Sequence, residues 1–258
     1  MGLALVTGAS SGIGLELAKL FAQDGYDLVV AAEDDGIQAA AGTLSGSGVD
    51  VRPVQIDLRK PKGVENLYQQ ATAEGQLDAA ALNAGVGQGG SFIDSDLDDN
   101  LDIIDLNVRS TVHLAKLILP DMVRRNTGKL LFTSSIAATM PGPYQSVYHA
   151  SKSFIQSLAE ALQDELRDTD VTVTSLMPGP TDTNFFRRAE LGNTRIGRMP
   201  KDDPAEVARQ GYEALMRGRR KVLAQSVTTK VMGAANKFLP DSVKAAASRV
   251  INVPVGQR

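Results

Sequence analysis

Strand-length apolar runs alternate with amphipathic helical stretches along most of the chain, and this alternation restricts the fold more than any other feature. Leu3–Thr7 is apolar at nearly every position, as a strand buried on both faces must be. Ile13, Leu17, Leu20 and Phe21 then repeat at the spacing of one helical face. Further strands are read at Asp27–Ala32, 51–56, 77–83, 129–134, 171–177 and, short and weak, Lys221–Ala224. Helical patterns fill the gaps at 37–45, 62–74, 98–125, 147–168 and 204–217. The last is opened by Asp203 as N-cap and Pro204 at the first helical position. Such alternation implies an α/β fold, a doubly wound parallel sheet of about seven strands with helices on both faces. Residues 1–225 are expected to form this single domain, with 182–201 as a mobile lid. Residues 226–258 are read as a C-terminal extension of the same domain; 232–238 and 242–250 have helical propensity but no legible motif.

Composition removes several function classes. The 258 residues carry a net charge of −3, with 43% hydrophobic and 22% charged residues, ordinary for a globular protein. A near-neutral chain lacks the basic face expected of a nucleic-acid binder. There is no cysteine, hence no disulfide, cysteine nucleophile or thiolate metal site. His113 and His149 do not make a metal site, and none is expected. No apolar run reaches the roughly 20 residues of a membrane span. The start of the chain has no basic stretch, and Gly2 is not followed by the Ser or Thr of an acylation signal. The expectation is a cytoplasmic protein without a membrane anchor.

Between the first strand and the first helix lies Thr7-Gly8-Ala9-Ser10-Ser11-Gly12-Ile13-Gly14. Glycines at such a turn let the backbone approach a pyrophosphate, which then sits at the helix N-terminus. The bland alternative is a glycine-rich turn with no ligand. The spacing differs from the common G-x-G-x-x-G, with three residues between the first two glycines. In this form the motif resembles the short-chain dehydrogenase/reductases. Further motifs follow in that family's order: Asn83-Ala84-Gly85 at the end of the fourth strand, Asn107 in the next helix, Ser135 after the fifth strand, Tyr148-x-x-x-Lys152, and Pro178-Gly179 with Thr181 and Thr183 after the sixth. The resemblance covers residues 2–225. It implies a Rossmann-like fold and an NAD(P)-dependent oxidoreductase acting on CH–OH groups.

Tyr148 and Lys152 are four residues apart, so a helix places them on one face. A tyrosine of ordinary pKa near 10 is a poor base at neutral pH, and bringing it to about 7 takes about 4 kcal/mol. A neighbouring ammonium lowers that pKa in part, and the ring of an oxidised nicotinamide adds to it. Tyr148 would then exchange a proton with a substrate oxygen while hydride moves on carbon. Ser135 would orient the same oxygen. Ser134 is the alternative, but neighbours on a strand face opposite ways. Asn107 as support for a water chain to the lysine is implied by the resemblance alone. Taken alone, Tyr-x-x-x-Lys is more often simple packing. His149 is read as structural or substrate-lining, and His113 as a packed core or interface residue. The acidic run at 94–105 is read as a solvated helix start.

Cofactor choice rests on Ala31-Ala32-Glu33-Asp34-Asp35, after the second strand. A carboxylate there bonds a ribose 2′-hydroxyl and repels a 2′-phosphate. The family's usual aspartate position aligns with Ala32, while Glu33 and Ser11 stand where many NADP-dependent members carry cations. NAD is therefore expected, with NADP as the alternative, its phosphate cradled by Ser10 and Ser11. Asp57, followed by Leu58, resembles the family's adenine-binding aspartate. Segments 86–92, 140–145 and 182–200 would wall the substrate site with Phe92, Met140, Tyr144, Phe185, Phe186, Leu191 and Met199. This suggests an apolar or ring-containing ketone or secondary alcohol. Arg187, Arg188, Arg195 and Arg198 would either meet an acidic group or remain solvated. The rival from another class is a catalytically silent nicotinamide-binding regulatory or scaffold protein; an extended-branch epimerase is disfavoured by the glycine spacing. The long helices at 98–125 and 147–168 resemble those that pair across a two-fold axis in the family, implying a homodimer or homotetramer.

Overall fold

A computed structural model describes residues 2–224 and 240–253. Seven strands form one sheet: β1 (Leu3–Thr7), β2 (Asp27–Ala32), β3 (Val51–Gln55), β4 (Ala79–Leu82), β5 (Gly128–Thr133), β6 (Val171–Pro178) and β7 (Lys221–Ala224). Their order is β3-β2-β1-β4-β5-β6-β7. Every pairing is parallel, including β1 with β4. The fold expected from the alternation is therefore present. The strands read at 77–83 and 129–134 are shorter or shifted by a residue: β4 ends at Leu82, where Asn83 N–H turns to Thr7 Oγ1, and β5 runs from Gly128 to Thr133. Pro53, which has no N–H to give, sits in the edge strand β3, where a missing donor is tolerated.

Two cores explain the continuous apolar runs. Leu3 and Leu5 of β1 face a cluster built with α3 (Pro61–Thr72), α5 (Thr111–Arg124) and α6 (Ser146–Glu165). Ala4 and Val6 face the opposite cluster, built with α1 (Gly12–Gln23), α2 (Gly36–Leu44) and α9 (Pro204–Met216). Because β1 lies between β2 and β4, the chain reverses its direction of travel across the sheet there. A crevice opens beyond the carboxyl ends of these strands, the usual ligand position in open α/β sheets.

One region differs from the sequence reading and two gain detail. The helix expected at 98–125 is divided into α4 (Leu97–Ile103), a π-helical stretch Ile104–Ser110, and α5. The segment 182–201, read as a lid, holds α7 (Phe185–Arg188) and α8 (Arg195–Arg198), and Gly89 N–H donates to Ala189 O within it at 2.8 Å. The extension contains α10 (Asp241–Asn252), whereas the helical propensity at 232–238 lies outside the described residues. No helix among the described residues is long and apolar enough to cross a membrane.

Candidate active site

The glycine turn is a backbone cradle. Gly8 and Gly12 have φ of +66° and +57°, left-handed conformations that favour glycine. A Cβ on Gly14 would lie 2.1 Å from the Gly8 carbonyl oxygen, so the helix must start with a bare residue against the loop. Ser11 caps α1 without a side-chain bond, leaving the first-turn N–H groups directed into the crevice as an anion site. Thr7 fixes the strand ends: its Oγ1 accepts from Asn83 N–H and Ala84 N–H, each at 3.0 Å. Asn83 Nδ2 returns a bond to Thr7 O at 3.1 Å. These residues suit a pyrophosphate, which needs close backbone approach and unpaired N–H groups.

The crevice continues into one cavity of about 440 Å³, lined by the glycine turn, the 83–86 strand end, Ser135, Tyr148, Lys152, Pro178, Gly179, Thr181 and Thr183. Ser135 Oγ accepts from Ala137 N–H at 3.1 Å and donates to Pro178 O at 3.5 Å. Ser134 also lines the cavity, and its Oγ donates to the Lys152 carbonyl at 3.1 Å. Lys152 is buried; its Nζ donates to Thr133 O at 2.9 Å and lies 5.9 Å from the Tyr148 ring centroid. Burial pushes the Tyr148 phenol up to about 12 against a smaller opposing effect of the Ser135 hydroxyl, and pushes Lys152 down to about 8. The expected lowering of the tyrosine pKa by the lysine is therefore not a property of the chain alone: desolvation outweighs an ammonium turned toward a backbone carbonyl.

Asn107 sits in the π-helical stretch, 1% exposed. Its Oδ1 accepts from Val86 N–H and its Nδ2 donates to Val86 O, both at 2.9 Å. It also donates to Ser151 Oγ at 3.0 Å, joining α6 to the strand end. A Cβ on Gly85 would meet both Asn107 Oδ1 at 3.1 Å and Lys152 Nζ at 3.2 Å, so the two side chains converge on that glycine.

Beside the end of β2 the structure brings in two cations: Arg59, which the sequence reading missed, and Arg188, which it left as one of four arginines that either meet an acidic group or remain solvated. Arg59 pairs with Glu33, donates to Asp57 Oδ1 at 2.9 Å and to Asp102 at 3.1 Å. Burial pushes Asp57 up, but the Arg59 backbone and side-chain bonds outweigh it and hold the carboxyl below its ordinary value. Asp34 accepts from Ser10 Oγ at 2.9 Å and from Arg188 of α7 at 3.3 Å. Glu33, Asp34, Asp57, Leu58, Ser10, Ser11, Ile13 and Arg188 all line the cavity.

The substrate wall corresponds only in part to the residues read from the sequence. Met140, Phe185, Phe186 and Met199 line the cavity. Phe92 is 62% exposed outside it, Leu191 is buried under Gly89, and Tyr144 turns its ring toward Arg249 at 6.0 Å. Of the lid arginines only Arg188 reaches the cavity. His149 lines it, with Nδ1 3.0 Å from Met140 O, and burial pushes its pKa down. His113 is not a core residue; it lies half-exposed, 3.9 Å from Glu65. The acidic run starts α4, with Asp96 accepting from Asp98 N–H. Lys244, Ala247, Ser248, Ile251 and Asn252 of α10 complete the wall, and no sequence motif pointed to them.

A family model for short chain dehydrogenases matches residues 2–193. The chain belongs to that family. This short-chain dehydrogenase is 30% identical over 214 residues to oxidoreductase UcpA of Salmonella typhimurium, covering 82% of this chain and 79% of the relative. It is 35% identical over 188 residues to dehydrogenase/reductase SDR family member 4 of Bos taurus, covering 72% and 67%. A short-chain dehydrogenase from Sphingobium yanoikuyae in complex with NADPH superposes with a TM-score of 0.83 at 25% identity, covering 100% of this chain and 98% of that one. A short-chain dehydrogenase/reductase from Burkholderia phymatum in complex with NAD gives 0.84 at 25% identity, covering 99% and 98%. The protein is thus an NAD(P)-dependent dehydrogenase/reductase with a single Rossmann-like sheet.

Proposed function

We propose that this enzyme interconverts apolar or ring-containing ketones and secondary alcohols, with Tyr148 as the general acid and base. The observation that carries this reading is that Tyr148, Ser135 and Lys152 line the same cavity as the glycine cradle. Met140, Phe185, Phe186 and Met199 give that cavity its apolar wall. The nicotinamide, when bound, supplies or accepts the hydride. In ketone reduction Tyr148, a neutral phenol over the whole physiological range, gives its proton to the carbonyl oxygen. Ser135 holds that oxygen in line. Lys152, charged below about 8, stabilises the phenolate left behind. Asn107 holds Val86 and Ser151 in place beside the lysine and acts as a positioning residue. Alcohol oxidation runs the same transfers backwards.

Gly8, Ser10, Ser11, Gly12, Ile13 and Gly14 would hold the pyrophosphate, Asp57 and Leu58 the adenine, and Asn83–Gly85 with Pro178, Gly179, Thr181 and Thr183 the nicotinamide half. NAD is the proposed cofactor, because Glu33, Asp34 and Asp57 set three carboxylates at the adenosine end. NADP is the second reading, and the observation that favours it is the pairing of all three of those acids with Arg59 and Arg188.

Tyr148→Phe keeps the ring and removes the exchangeable proton. Turnover of a ketone panel should fall by about 10²–10⁴-fold, with cofactor affinity retained. Near-full turnover would remove Tyr148 from the mechanism. A wild type that binds cofactor yet turns over no ketone or alcohol would favour the silent scaffold reading.

A further inference from the structure

Phe185 of α7 reaches Tyr148 from the 182–201 segment. Both residues line the cavity, and their rings meet with centroids 5.1 Å apart and planes at 47°. Gly87, also on the cavity wall, forms the third side of this contact. A Cβ on Gly87 would lie 2.6 and 3.0 Å from Cζ and Cε2 of Phe185, and 3.2 Å from Cδ2 of Tyr148. The space that a side chain at 87 would fill is therefore taken by the Phe185 ring. That ring is held from several directions. Phe186 meets it edge-on, with centroids 5.6 Å apart, and Lys201 Nζ lies 4.9 Å from the Phe186 ring. Phe185 N–H donates to Thr183 Oγ1 at 3.3 Å, and the Thr183 methyl packs where a Cβ on Gly12 would come within 2.8 Å. At the other end of α7, Arg188 donates to Asp34 at 3.3 Å and Ala189 O accepts from Gly89 N–H at 2.8 Å. The helix is thus anchored on both sides of Phe185.

We infer that Phe185, seated against Gly87, is a specificity-determining residue that limits one side of the reacting carbon to a small substituent. This rests on the proposed ketone/alcohol activity with Tyr148 as acid and base. The substrate oxygen must come to the Tyr148 phenol, so a ring packed on Tyr148 stands beside the reacting carbon. The corner cannot be widened from the Gly87 side, because bare backbone already touches both rings. Close-packed groups of this kind yield little to an extra methylene. The rest of the apolar wall differs. Met140, Ile196, Met199 and Ile251 are aliphatic, and the unbranched methionines adapt to varied shapes. The large substituent is accommodated there. The preferred substrates are therefore methyl ketones with a large apolar second substituent, or the secondary alcohols they yield, and ketones large on both sides are refused.

The test uses pairs of ketones that share one large apolar substituent and carry either methyl or propyl as the other. They are compared in the wild type, Phe185→Ala, the milder Phe185→Val, Gly87→Ala and the Gly87→Ala/Phe185→Ala double variant. The readout is the ratio of kcat/KM for the two members of each pair, with cofactor binding by fluorescence as the folding control. The wild type should favour the methyl ketone by about 10-fold or more, the scale on which a full apolar pocket refuses added methylenes. Phe185→Ala and Phe185→Val should bring the ratio toward unity by raising kcat/KM for the propyl ketone. A merely structural role would lower both members together and leave the ratio as it was. Gly87→Ala forces the Phe185 ring aside, so it should cost about 10-fold on the methyl ketone when Phe185 is present and much less beside Phe185→Ala, as expected of two residues in contact. A wild-type ratio near one, a ratio unchanged in both Phe185 variants, or an equal cost of Gly87→Ala in the two backgrounds overturns the inference while leaving the oxidoreductase reading intact. Binding of cofactor without reduction of either member of any pair overturns both.

Discussion

Lys152 and Tyr148 show how a reactive pair is built at a cost in stability. The ordinary lysine pKa of 10.5 falls to about 8 on burial, so an ammonium in that position costs roughly 3 kcal/mol at about 1.4 kcal/mol per unit. Below about 8 the full cost is present. Between 8 and 10.5 the unfolded chain holds more protons than the folded one, and the cost fades as pH rises. Lys152→Met should therefore lose its stability advantage over the wild type by about 2–3 kcal/mol between pH 7.5 and 10.5. The constant effect of the lost bond to Thr133 cancels in that comparison. Denaturant midpoints that stay parallel across this range would show that the lysine is not buried as described. The same cations and acids decide cofactor choice. Glu33→Arg should weaken NAD and improve NADP by about 10-fold or more, the worth of a hydrogen bond to a charged group. Arg59→Ala should sharpen discrimination against NADP, because it frees the Glu33 charge. Tighter NADP binding by the wild type, measured by titration, would reverse the assignment. The Ser, Tyr and Lys positions were legible because their spacing is a motif. Arg59 was not, since Glu33 lies 26 residues away in sequence, and Arg188 was read without its partner because Asp34 lies 154 residues away.

The elements were largely legible, and the places where they were not are places where tertiary contact overrides local pattern. Apolar runs marked the strands because both faces of the sheet are covered by helices. The π-helical stretch at Ile104–Ser110 left no comparable trace. Its wider turn carries Asn107 inward, and only the strand end that Asn107 clamps explains it. The α10 wall was equally silent, since an amphipathic helix does not state which cavity it covers. The glycine turn was the most informative element, and it yields a sharp expectation. In Gly14→Ala the new methyl would lie 2.1 Å from a backbone oxygen and 2.6 Å from Asn83 Nδ2, and neither is a flexible side-chain end. The loop or the start of α1 must move. Stability should drop by about 1–3 kcal/mol, and cofactor affinity by more than 10-fold because the N–H groups lose their aim. An Ala variant that binds NAD and NADP as the wild type does would mean that the turn is not the phosphate site.

At the scale of the molecule, one surface carries a row of exposed large apolar side chains among the described residues. Leu97, Leu101 and Ile104 repeat along the segment that carries α4 and are 69%, 44% and 39% exposed. Phe92 and Ile93 just before it are 62% and 87% exposed, and Phe154 of α6 is 45% exposed. Single exposed apolar residues are ordinary, but a row of this kind costs roughly 1.5–3 kcal/mol for each large side chain that water could be spared. Both segments also hold the site: α6 carries Tyr148 and Lys152, and the stretch after α4 carries Asn107. An association through them would brace the catalytic groups. We predict a homodimer, or a tetramer built from such dimers. Sedimentation at micromolar concentration should give at least twice the 27.4 kDa of one chain. Leu97→Asp combined with Leu101→Asp should shift it toward that single-chain mass, because charges buried without partners oppose association. The double variant should still bind cofactor, since neither leucine lines the cavity. A wild type that sediments as one chain, or a double variant whose mass is unchanged, would place the contact elsewhere or remove it.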